Sequence, residues 1–215
     1  MDKTGGVTLF GFTPSVYTRA VQMALIEKSV AFSFVEADPF EDPPSDALAR
    51  LHPFGRVPVL RDGGFNLYET SAILRYVDDI APHPPLVPAA VKARARMQQA
   101  ISIMDAYGYQ PLVRGVFSHL VYRPALGLDA DPQKAAAGLR AAPAVLGALE
   151  DIAAEGHVLD GQSVTLADLH LSPMIGYFAM AAEGRDMMRR FTALSRWWDK
   201  AQARPSYQSV CGDAT

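Results

Sequence analysis

The sequence holds a single cysteine, Cys211, so an internal disulfide and a cysteine-rich metal site are both excluded. A reducing setting, the cytoplasm, is the expected location. Basic residues are not in surplus either. The 20 Lys and Arg stand against 23 Asp and Glu, a formal net charge of −3 at pH 7. A general nucleic-acid binder needs a basic surface, and that class of partner is not expected. No apolar run approaches the ~18 residues of a membrane helix, and no basic patch leads into one at the N-terminus, so no membrane role is expected. His119 and His170 do not stand at metal-ligand spacing from other ligating residues and read as packing or surface positions, so no metal is expected. What is present is core material. Of 215 residues 49% are hydrophobic and 20% charged, a composition that fits one large domain or two small ones.

Taken in order, residues 7–12 are a run of β formers too short for a helix and read as a buried strand. Tyr17, Ala20, Val21, Ala24 and Leu25 then recur at helical spacing. They predict an amphipathic helix with Tyr17 on its inner face and with Glu27 and Lys28 ending it in solvent. Phe32 and Phe34 mark a second strand over 31–36, and the β-α-β order favours a parallel pair. Residues 37–50 are acidic and broken by Pro39, Pro43 and Pro44, so they are expected to be irregular with at most a short helix. Arg56–Leu60 reads as a third strand entered through Pro58. Asp62-Gly63-Gly64 is a hairpin turn into Phe65–Tyr68, because glycine supplies the positive φ of a tight hairpin. A helix follows with Ile73, Leu74, Val77 and Ile80 on one face and with Thr70 or Ser71 suited to cap it.

Pro82, Pro84, Pro85 and Pro88 allow no helix and make residues 82–90 a linker between an α/β domain over 1–81 and an all-helical domain over 91–215. In the second domain, residues 90–121 predict one long helix bent near Pro111. Asp131-Pro132 is a helix start, with a capping carboxylate before proline at the first position, and the helix it opens carries Leu139, Val145, Leu146 and Leu149. Val164-Thr165-Leu166-Ala167-Asp168-Leu169 combines a reciprocal Thr165–Asp168 capping box with a hydrophobic staple from Val164 to Leu169. A last helix is predicted over about 186–203, with Phe191, Leu194, Trp198 and Ala201 inward, closed by Arg204-Pro205.

A β-α-β, β-β-α domain with Val-Pro entering its third strand resembles the thioredoxin fold. With an all-helical domain behind it, the chain is similar to the cytosolic glutathione transferases from Leu9 to Val210. Four pieces carry the resemblance: Ser15-Val16-Tyr17-Thr18-Arg19-Ala20-Val21, His52-Pro53-Phe54-Gly55-Arg56-Val57-Pro58-Val59-Leu60, Leu67-Tyr68-Glu69-Thr70-Ser71-Ala72-Ile73 and Thr165-Leu166-Ala167-Asp168-Leu169-His170. The Ser-x-x-Thr-Arg-x-Val pattern looks like the serine-type classes, phi first and theta next. Leu9 and Phe10 stand where the tyrosine-type classes carry a tyrosine, and no cysteine stands near Ser15 as in the beta and omega types.

The resemblance implies a reaction in which glutathione, as co-substrate, attacks a small hydrophobic electrophile. Taken alone, Ser15 also reads as an ordinary helix cap; with the resemblance it is the catalytic residue. A free thiol has a pKa near ~8.5, and only the thiolate attacks well. Ser15 would donate a hydrogen bond to the ionised sulfur at the N-terminus of a helix whose dipole also favours negative charge. Lowering the thiol by two units takes about 2.7 kcal/mol. Val57-Pro58 matches the family's cis-proline turn, where the Val57 backbone binds glutathione's cysteine as a strand would. Glu69 would hold the γ-glutamyl ammonium, and Thr70 the adjacent carboxylate. The chain departs from the family pattern in three places. Pro43 and Pro44 stand where phi enzymes place His and Lys, His52 replaces Asn, and Arg56 replaces Gln. Arg56, with Arg50, is expected to take over the glycyl carboxylate, since a guanidinium pairs with it bidentately. Phe12, Thr13, Met104 and Tyr107, with Tyr109 and Phe117, are candidates for the electrophile pocket, although such a stripe on a helix also reads as core. A peroxidase, dehalogenase or ether-cleaving reaction on the same site, or a non-catalytic binding protein of the same fold, is the alternative. The family also implies a homodimer.

Overall fold

Val7–Gly11 forms β1, an inner strand of a four-stranded sheet in the order β2-β1-β3-β4, seen in a computed structural model that describes residues 6–41 and 46–212. Its residues alternate, with Val7, Leu9 and Gly11 buried, which is the period-two signature of a strand with one face on a core. β2 (Phe32–Glu36) pairs parallel to β1, as the β-α-β order predicts, and is largely exposed. β3 (Val59–Asp62) runs antiparallel to β1, and β4 (Phe65–Tyr68) antiparallel to β3. Asp62 faces Phe65 in register, so Gly63 and Gly64 make the two-residue hairpin, with Gly63 at φ 57°.

α1 (Val16–Glu27) and α3 (Thr70–Ile80) pack together and supply Ala20, Val21, Ala24, Leu25, Ile73, Leu74 and Val77 to the core around Leu9, Val59 and Leu60. α2 (Asp46–Leu51) is the short helix allowed for in the irregular stretch, while Pro43 and Pro44 lie outside the described residues. Several details differ from expectation, among them Ile80, which is exposed at the end of α3 rather than buried with Ile73, Leu74 and Val77. Tyr17 is only half-buried, because Val16 and Thr18 take the inner positions at the start of α1. Lys28 does not end the helix in solvent. Its ammonium is enclosed, 2.7 Å from Asp78 Oδ1, and also donates to the Pro84 carbonyl, while Asp78 accepts from the Leu86 amide at 2.9 Å. A buried charge persists only when paired and hydrogen-bonded in this way. Finally, the residue preceding α3 is Glu69 rather than Thr70 or Ser71.

The chain divides into two compact units, Met1–Leu86 and Val87–Thr215. The second is helical throughout its described residues. α4 (Val91–Ile103) continues into a π-helix, Met104–Tyr122, and then α5 (Arg123–Ala125). The long helix expected over 90–121 is present, and from Met104 it is a wider helix whose i→i−5 pattern continues to Arg123, with its amide bonded to Ser118. A proline supplies no amide to an α-helical ladder, and wider turns accommodate such a gap. α6 (Pro132–Ala154) starts as predicted, with Asp131 accepting from the amides of Gln133 and Lys134. It crosses the π-helix at Gly138, where a Cβ would lie 2.6 Å from the Pro111 carbonyl oxygen.

α7 (Leu166–Met180) is buried from Leu166 through Phe178, the pattern of a central helix. Its predicted capping box is present, and the Asp168 carboxylate also accepts from Trp197 Nε1 at 2.6 Å. The last helix predicted over about 186–203 is divided between the end of α8 (Ala182–Met188) and α9 (Thr192–Gln202), and a further helix, α10 (Pro205–Cys211), follows the closing Arg204-Pro205. Trp197, not Trp198, is the fully buried tryptophan, since the Asp168 bond draws its ring inward. No described helix is long and apolar enough to cross a membrane.

Candidate functional site

Phe10, Val59 and Tyr68 are register partners across β1, β3 and β4. β1 ends just after Phe10, β3 begins at Val59, and β4 ends at Tyr68. The segments carrying Ser15, Val57-Pro58 and Glu69-Thr70 therefore leave the sheet at one end. Antiparallel pairing alone brings together residues more than fifty positions apart in sequence.

The turn after β1 is tied down on both sides. The Ser15 amide donates to the Phe12 carbonyl at 2.8 Å, and the Phe12 amide to Thr18 Oγ1 at 3.2 Å. Gly11 is required here by space, because a Cβ would sit 2.3 Å from the Thr18 methyl. Thr13 is held from β2 and α1. Its amide and hydroxyl donate to the two Glu36 carboxylate oxygens at 2.9 and 2.7 Å, and its carbonyl accepts from Arg19 Nε at 3.0 Å. The expectation that Thr13 lines a substrate pocket thus meets a residue whose polar atoms are committed to holding the turn. Phe12 is half-buried, edge-on to Phe40 at 5.9 Å.

Ser15 caps α1, its Oγ accepting from the Thr18 amide at 3.3 Å, long for a bond of this type. Accepting that bond leaves the hydroxyl's one hydrogen available as a donor. Cap and donor are therefore compatible roles for the same oxygen.

In the turn before β3, the Val57–Pro58 peptide is cis, Pro58 is buried and Val57 half-buried, while Arg56 is exposed. The backbone bends at Gly55, with φ 59°. His52, noted in the sequence only as a replacement for Asn, is 3% exposed and sits 4.6 Å from the Tyr68 ring. Burial pushes its imidazole below the ordinary value of 6.5; the Glu69 carboxylate opposes this shift, and the Arg56 guanidinium adds to it.

Glu69 has φ 70° and ψ 114°, is exposed, and makes no side-chain cap bond, although its carbonyl accepts from the Ile73 amide at 2.9 Å. A side-chain-bearing residue in this region costs about 1–3 kcal/mol, and such strain concentrates at functional positions. Thr70 is the first residue of α3 and is 7% exposed.

In the helical unit Met104 is fully buried, as a core residue is, and a Cβ at Gly108 would lie 2.6 Å from its sulfur. Tyr107 is 68% exposed, whereas Phe117 is buried and stacked on Tyr177 at 3.8 Å. His170 is also buried, with Nε2 2.8 Å from Asp105 Oδ1, and His119 Nδ1 accepts from the Asp131 amide at 3.0 Å.

Two family models match the chain, one for the N-terminal domain of glutathione S-transferases over residues 9–85 and one for their C-terminal domain over residues 132–199. The chain is 29% identical over 196 residues to glutathione S-transferase F10 of Arabidopsis thaliana, covering 89% of this chain and 90% of that protein. Among solved structures, glutathione S-transferase III in its apo form superposes with a TM-score of 0.83 at 25% identity, covering 96% of each chain. Glutathione transferase F7 from Populus trichocarpa superposes with a TM-score of 0.83 at 22% identity, covering 97% of this chain and 99% of that one. On those matches, which take in both halves in chain order, the chain belongs to the glutathione S-transferase family.

Proposed function

We propose that this chain is a glutathione transferase in which Ser15 holds glutathione as its thiolate for attack on a small hydrophobic electrophile. The observation that carries the reading is the register Phe10–Val59–Tyr68, which sends Ser15, Val57 and Glu69 out of one end of the sheet. An extended tripeptide bound along that end pairs its cysteine with the Val57 backbone. It sets its γ-glutamyl ammonium against Glu69 and the neighbouring carboxylate against Thr70 and the first amides of α3, which have no partner within the helix. Arg56, exposed on the adjoining turn, takes the glycyl carboxylate.

The thiol loses its proton to solvent. The resulting thiolate is stabilised by the Ser15 hydroxyl and by the helix terminus, which together supply about 2–3 kcal/mol. The sulfur lone pair then forms the C–S bond as the leaving group departs with its electron pair, or adds to an activated double bond whose displaced π pair takes up a proton from solvent. Phe12, half-buried beside the sulfur's position, offers the electrophile an apolar wall. A homodimer in the cytoplasm completes the reading.

Turnover of a generic aryl halide with glutathione tests this directly. Ser15→Ala is expected to lower kcat/KM by about 10- to 50-fold while glutathione binding persists, because the bond to the thiolate is lost and the helix terminus remains. Turnover by Ser15→Ala equal to that of the unaltered protein would refute the assignment.

A further inference from the structure

The turn that leads into Val57–Pro58 is built around a histidine used as a hydrogen-bond acceptor. Residues 52–55 form a β-turn in which the Gly55 amide donates to the His52 carbonyl at 2.9 Å, with Pro53 second and Gly55 fourth. Turns of this kind favour Asp, Asn or Ser in first place, because a short oxygen-bearing side chain accepts from the amide two residues on. Here a ring nitrogen takes that part, and the Phe54 amide donates to His52 Nδ1 at 3.2 Å. The ring is fixed by burial, by Tyr68 at 4.6 Å and by Phe54 at 5.8 Å. An asparagine oxygen accepts at every pH. An imidazole accepts at Nδ1 only while neutral, with its hydrogen on Nε2. Once protonated, Nδ1–H faces the Phe54 N–H, donor against donor.

We propose that His52 is a positioning residue for glutathione capture, and that its protonation releases the 52–58 turn and weakens binding in mild acid. The inference rests on reading Arg56, Val57 and Glu69 as the glutathione site. Among the described residues, the charged and titratable groups facing the ring are Arg56 from the same turn and Tyr68 and Glu69 from the end of β4. The neutral imidazole is favoured by the fold, so the Phe54 bond is fully present above 6.5 and is lost as pH falls through the lowered value. Arg56 and Val57 lie within the released segment, so their approach to the tripeptide loosens with it.

The test uses S-methylglutathione, which has no ionisable thiol, titrated calorimetrically into the full chain at about pH 7.5 and about pH 4.5, the second well below the ordinary imidazole range because burial lowers this one. The unaltered protein, His52→Asn and His52→Ala are compared, so that titration of the ligand, Glu69 and the other histidines cancels. The unaltered protein is expected to lose about three- to ten-fold in affinity at the lower pH, the worth of one turn hydrogen bond. His52→Asn, which restores the acceptor without the proton, should hold its affinity across the interval. His52→Ala should bind at both pH values as the unaltered protein does in acid. A His52→Asn protein with the same acid loss overturns the proposal, and it keeps the test decisive if His52→Ala does not fold. Binding by the unaltered protein that does not change with pH also overturns it while leaving the glutathione site intact. Absence of binding at either pH would remove the glutathione reading itself.

Discussion

Among the acids at helix starts, Asp168 and Glu69, one in each unit, stand in opposite circumstances. Asp168, in the first turn of α7, is enclosed; it accepts from the Thr165 amide at 2.8 Å, the Thr165 hydroxyl at 2.6 Å and Trp197 Nε1 at 2.6 Å. Burial pushes its carboxyl above the usual range, and the bonds from Thr165 and Trp197 pull the other way. Glu69, just before α3, is exposed, makes no cap bond, and holds its backbone at φ 70°. Both could read as helix-start acids that complement a dipole. Accounting for their bonds separates them. A carboxylate whose acceptor sites are filled from within the fold stabilises that fold. One left bare on a strained backbone has its capacity directed outward.

This contrast is open to experiment, most strongly at Asp168. Asp168→Ala is expected to cost about 3–5 kcal/mol of stability by denaturant unfolding, because it orphans a buried indole N–H and the Thr165 amide together. The protein that remains folded should bind S-methylglutathione as before; a selective binding defect would break the contrast from that side. Glu69→Gly should weaken S-methylglutathione about ten-fold or more while raising stability by up to about 1–2 kcal/mol, since glycine relieves the positive φ. Loss of both binding and stability would make Glu69 a second structural acid. Arg56→Ala is the mildest of the three: a several-fold weaker affinity for glutathione, about 1 kcal/mol, with an unchanged melting temperature, because the side chain is exposed. Unchanged affinity would take Arg56 out of the site.

Much of this was legible in the residues. The short run of β formers over 7–12 marks β1, the helical period from Tyr17 to Leu25 marks α1, Gly63-Gly64 marks the hairpin, and Thr165-x-x-Asp168 marks the start of α7, each by local geometry that neighbours enforce on one another. Less legible were residues whose partners lie far along the chain. Lys28 reads as a solvated helix end, yet Asp78 lies fifty positions away and makes it a buried ion pair. The partner of Thr13 is likewise distant: Glu36, twenty-three positions on, takes its amide and hydroxyl. Trp197 and Trp198 are adjacent, and only the distant Asp168 decides which is buried.

The sequence by itself determined the strands, the order of α/β before helical, and the residue types at Ser15, Val57-Pro58 and Glu69-Thr70. Those follow from short-range sterics, turn chemistry and periodicity, which act within a few residues. Only the tertiary structure decided that these three segments leave the sheet at one end, that Glu69 sits at a positive φ, and that the His52 ring accepts from Phe54 behind Tyr68. The Phe10–Val59 register and the packing of the His52 ring against Tyr68 join segments well apart along the chain, beyond the few residues over which turn chemistry and periodicity act.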